Sequence, residues 1–79
     1  MTLQEQKQLS ADCIQLLHSA YENKLGGSVT VFKNSIHILI TVPSDFNEFI
    51  ILEYCDTFED NRIKLNEFIL LVIDNHYTI

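Results

Sequence analysis

Glycine and proline are scarce in this chain. It has two glycines and one proline among 79 residues, while 47% of its residues are apolar. That composition excludes a disordered tail or a low-complexity linker, which have little to bury. Cysteine is scarce as well. Cys13 and Cys55 make too thin a disulfide framework for an extracellular miniprotein. Basic residues number five, and Lys7, Lys24, Lys33, Arg62 and Lys64 are scattered. Binding to a phosphate backbone needs clustered Lys and Arg, so no nucleic-acid ligand is expected. A net charge of −6 also disfavours anionic membrane surfaces. No apolar run approaches the ~20 residues of a membrane span. The opening "MTLQEQKQLS" is too polar for a secretory signal. These absences lead to the expectation of a cytoplasmic protein with reduced thiols.

The length sets the next bound. Residues 1–79 make a single small domain. A chain of this size buries only about 60% of its unfolded surface, so its stability margin is thin. Many large apolar side chains on so small a core favour a second copy as cover. A homodimer is therefore expected.

The first segment has helical spacing. Thr2 and Glu5 stand three apart, as in a capping box. Leu9, Cys13, Leu16, Leu17 and Ala20 recur at three- and four-residue steps. The pattern predicts a helix over about 3–24, ended by a left-handed cap at Gly26 or Gly27. The next stretch, "SVTVFKNSIHILITVP", alternates and is rich in β-branched residues. It predicts an antiparallel hairpin, about 28–32 and 36–42, turning at "KNS". Leu39 makes the second face of that hairpin only partly polar, so this face or an edge strand is the expected dimer surface. Residues 45–58 read equally well as a second helix or a further strand. "IKLNEFILLVIDNHY" predicts a C-terminal helix with Leu65, Phe68, Ile69, Val72, Ile73 and His76 on one side. "FNEFIIL" (46–52) and "LNEFILL" (65–71) nearly coincide. Two such segments could form an antiparallel helical pair. The resulting fold class is α+β: a long N-terminal helix, an antiparallel hairpin and a C-terminal helix.

The stretch "DTFEDNRIKLNEF" (56–68) carries a second reading. A calcium loop of the EF-hand places oxygen ligands at positions 1, 3, 5 and 12, usually Gly at 6, and an apolar residue at 8. Asp56, Asp60, Ile63 and Glu67 fall at 1, 5, 8 and 12, whereas Phe58 and Asn61 depart at 3 and 6. The C-terminal part thus resembles the second hand of small two-hand calcium proteins of the calbindin type. That resemblance implies an all-α degenerate EF-hand pair acting as a regulatory protein. In that reading, residues 32–42 would be helical.

Other chemistry is thin. His18, His37 and His76 lie on different segments, and no Cys or His pair has zinc-site spacing. Cys13 belongs to a helical apolar stripe and reads as core. There is no glycine-rich phosphate loop and no nucleophile motif. No enzyme activity, cofactor or metal is therefore expected. Charge placement is the remaining signal. Six of the eleven carboxylates fall between 45 and 60: Asp45, Glu48, Glu53, Asp56, Glu59 and Asp60. Such a patch suits docking on a basic protein surface. The expected function is a small acidic binding module, adaptor or inhibitor that occludes a basic partner, including a nucleic-acid site on it. Inhibitors carried by phages and mobile elements share this size and charge class.

Overall fold

The computed structural model describes residues 1–42 and 47–74. Its elements in order are α1 (Leu3–Glu22), β1 (Gly26–Val31), β2 (Ser35–Thr41), β3 (Asn47–Glu53) and α2 (Phe58–Ile69), which continues as a π-helical turn, Leu70–Asp74. The fold is α+β, with both helices on one face of a three-stranded antiparallel sheet of order β1-β2-β3.

Helix α1 starts as its sequence predicts. Thr2 Oγ1 accepts from the Glu5 N–H (3.1 Å), and Glu5 Oε1 accepts from the Thr2 N–H (2.9 Å). This is a complete capping box. The end differs from expectation. Lys24, not a glycine, takes the left-handed conformation, with φ 66°. The Lys24 N–H donates to Tyr21 O (3.1 Å) and the Leu25 N–H to Ala20 O (2.8 Å). That pair of bonds is a Schellman closure, and it drops Leu25 into the core beside Ala20. Gly26 and Gly27 are thereby released to begin β1, two residues earlier than the hairpin reading placed it. Gly27 is needed there for space, because a Cβ would collide with the Leu39 carbonyl oxygen.

The sheet registers are regular. Val29 pairs with Ile38, and Ile38 with Ile50; Thr30 pairs with His37, and His37 with Ile51. Strand β3 settles residues 47–53 as a further strand. It also overturns the helical-pair reading of the repeated segment: "NEFIIL" is strand, while "LNEFILL" lies in α2 and its π-helical turn. The all-α EF-hand reading fails on two counts. Residues 35–41 are strand, and α2 begins at Phe58, so most of the would-be calcium loop is helix.

One face of the sheet builds the core. Ile36, Ile38, Ile40 and Leu52 meet Leu9, Cys13, Leu16 and Ala20 of α1, and Leu65, Phe68 and Val72 of the C-terminal segment. Each Leu, Ile, Val or Phe side chain buried this way is worth roughly 1.5–3 kcal/mol. Leu65, Phe68 and Val72 confirm the predicted stripe, and Ile69 is half-buried, while His76 lies outside the described residues. Among the described residues, no helix is long and apolar enough to cross a membrane.

The outward edges of the sheet follow from its ladder. The Phe32 N–H donates to Ser35 O (2.8 Å), and the Tyr54 N–H to Asn34 O (3.0 Å). Antiparallel pairing alternates, so Gly27, Val29 and Val31 of β1 point their amides away from β2. In β3 the outward residues are Asn47, Phe49, Ile51 and Glu53. Two of these edge carbonyls are capped. The Tyr21 hydroxyl donates to Gly27 O (3.0 Å), and Asn61 Nδ2 donates to Glu53 O (2.8 Å).

Candidate interaction surface

Four of the six predicted partner-binding carboxylates gather at one corner. Glu53 ends β3, Asp56 lies in the following turn, and Glu59 and Asp60 occupy the first turn of α2. Their placement has a local cause. Thr57 caps α2 by accepting from the Asp60 N–H (3.1 Å), and carboxylates in the first turn oppose the helix dipole. Asp56 also meets Lys64 (3.7 Å), a half-exposed pair worth little. Glu48 stands apart. It is half-buried on the helix-facing side of β3, about 17 Å from Glu53 at ~3.3 Å per residue. Asp45 lies outside the described residues.

The same corner brings together side-chain ligand atoms of Glu53, Cys55 and Asp56, all within 4.8 Å of one another. All three lie near the surface, and Cys55 Sγ donates to Glu53 Oε2 (3.6 Å). The Cys55 thiol is pushed above its ordinary pKa by desolvation in the turn, then by its bond to Glu53 and the charges of Glu53 and Asp56. It is therefore a thiol at neutral pH, a weak nucleophile and a weak ligand. Cys13 is fully buried, and burial with the neighbouring Asp12 charge pushes its pKa up to about 12. That agrees with its reading as a core residue.

The open face of the sheet supplies a feature that charge counting missed. Leu39, Phe49 and Ile51 point away from the helices, and His37 lies between two rings. Its ring centroid is 4.5 Å from that of Phe32 and 5.7 Å from that of Phe49. Ser35 Oγ lies 3.2 Å from His37 Nε2 and fixes the ring. Phe32 and Phe49 remain about half exposed, at 48% and 52%. The signal was present in part, in the doubly apolar 36–42 run. What the sequence did not show is that Phe49 and Ile51 join the same face from β3.

Among the described residues, two further cavities lie away from this corner and this face. One, of about 330 Å3, separates α1 from α2 and is lined by Asp12, Gln15, Ser19, Arg62 and Asn66 among others. The other, of about 370 Å3, runs between the edge of β3 and α2, along Ile50, Ile51, Lys64, Glu67, Phe68 and Leu71. Neither lining contains a Cys or His.

No family model, curated protein or solved structure matches this chain.

Proposed function

We propose that the chain is a non-enzymatic binding module that docks on a basic protein surface and occludes it. One observation carries this reading. Ile51 and Glu53 alternate on the same face of β3, so the aromatic strip Phe32–His37–Phe49 runs directly into the carboxylate corner. Protein interfaces commonly pair aromatic anchors with a charged rim. The corner of Glu53, Asp56, Glu59 and Asp60 would steer a basic partner and speed its association. The apolar strip would hold it and set its residence time.

Capture from cell extract, followed by calorimetry with the purified partner, tests the reading. Affinity is expected to fall steeply with salt. The triple variant E53K/E59K/D60K is expected to lose at least about tenfold in affinity. A purified partner that binds this variant as tightly as the wild type would overturn the proposal.

A further inference from the structure

The free edge of β3 points to a second copy of this chain. Phe49 and Ile51 direct their amide groups outward, and Phe49-Ile50-Ile51 carries no charge and no proline. Edge strands normally carry such features to block pairing. Each edge has one carbonyl already occupied, Gly27 O by Tyr21 and Glu53 O by Asn61, which leaves the centre of the β3 edge open. Beside the β3 edge lies the 370 Å3 groove of Ile50, Phe68 and Leu71, flanked by Lys64 and Glu67.

We infer that two copies pair β3 with β3 in antiparallel fashion, giving one continuous six-stranded sheet. A twofold interface matches each residue with its symmetry counterpart. The outward residues of β3 are odd-numbered, so three registers are available near its centre. Centring the axis on Phe49 opposes Ile50 to Glu48, and centring it on Ile51 opposes Phe49 to Glu53. Only the register centred on Ile50 keeps the three apolar residues opposite one another, Phe49 with Ile51 and Ile50 with Ile50, and it leaves Glu48 to face Leu52 outside that triplet. Aromatic and β-branched cross-strand pairs of this kind stabilise sheets. The same axis runs the two α2 helices antiparallel under the new sheet. The open aromatic face becomes twice as wide, with an acidic corner at each end, so the proposed docking surface is kept.

Light scattering over a concentration series, with amide hydrogen exchange, tests the inference. A two-chain mass is expected, with the Phe49 and Ile51 amides protected and those of Val29 and Val31 exchanging fast. Phe49→Pro removes an outward amide without taking a donor from the β2–β3 ladder, and is expected to weaken the dimer about tenfold. A one-chain mass at the highest concentration overturns the inference. So does a dimer whose Phe49 and Ile51 amides exchange as fast as those of Val29 and Val31, which would place its interface elsewhere. A folded Phe49→Pro variant that dimerises like the wild type also overturns the edge pairing.

Discussion

Replacing Asn61 by aspartate should nearly unfold the protein at neutral pH. Asn61 is 0% exposed although it sits in the first two turns of a surface helix. Its Nδ2 donates to Glu53 O (2.8 Å) and Thr57 O (3.2 Å), tying the end of β3 to the start of α2. An ionised aspartate would aim acceptors at two carbonyl oxygens. Both carbonyls keep a backbone donor, Asp56 N–H for Glu53 O and Asn61 N–H for Thr57 O, so the lost bonds are the smaller cost. The larger cost is an uncompensated buried charge, about 3–5 kcal/mol. A domain of this length has roughly 4–12 kcal/mol in total, at ~0.05–0.15 kcal/mol per residue. Asn61→Ala is a milder change. It loses two bonds of about 1 kcal/mol each but removes the buried Oδ1, which has no partner, and favours helix, for a net cost of about 1–2 kcal/mol.

Urea unfolding followed by circular dichroism measures both variants. The pH dependence gives a second check. Burial raises the folded-state pKa of the new aspartate above its unfolded value of about 3.9. Above that value the unfolded chain sheds the proton more readily, so the variant's deficit relative to wild type grows as pH rises and shrinks again in acid. An Asn61→Asp protein as stable as Asn61→Ala at pH 7 would refute the buried-donor account.

Three further outcomes follow from the fold. Lys24→Gly should stabilise the protein by about 0.5–1 kcal/mol in the same assay, because only Gly adopts the left-handed cap without cost. Gly27→Ala should destabilise by more than about 1 kcal/mol, since its Cβ meets the Leu39 carbonyl and the backbone of β2 must shift. A thiol reagent should label Cys55 in the native state and Cys13 only after unfolding. Because the Cys13 pKa rises from 9.0 to about 12 on folding, the unfolded chain releases that proton first. Stability should therefore fall between pH 9 and 12, and Cys13→Ala should remove that part of the fall.

The two near-identical hexapeptides show where local reading stops. "NEFIIL" and "NEFILL" differ at one position, yet one is strand and the other begins in α2 and runs into its π-helical turn. The first has Ile38 and Ile36 of β2 beside it, and burying Ile50 and Leu52 against them selects period two. The second follows Thr57 and Leu65, which supply a cap and a buried stripe at helical spacing. Helix α1 was legible because its capping box and apolar stripe agree. Its end was not, because Gly26 and Gly27 serve β1 while Lys24 bears the strained conformation. The acidic corner was legible as composition, but distance along β3 divides Glu48 from Glu53. The aromatic face depends on register between β2 and β3, which no single segment encodes. Asn61, read first as a misplaced loop residue, gave no local sign of being the buried clamp between β3 and α2.

The most direct test of the proposed docking surface is a 15N–1H titration of the labelled protein with its purified partner. The account predicts perturbations at His37, Phe49, Ile51 and Glu53 and through Asp56, Glu59 and Asp60. Perturbations confined to the exposed side of α1, or to the cavity between α1 and α2, would contradict it.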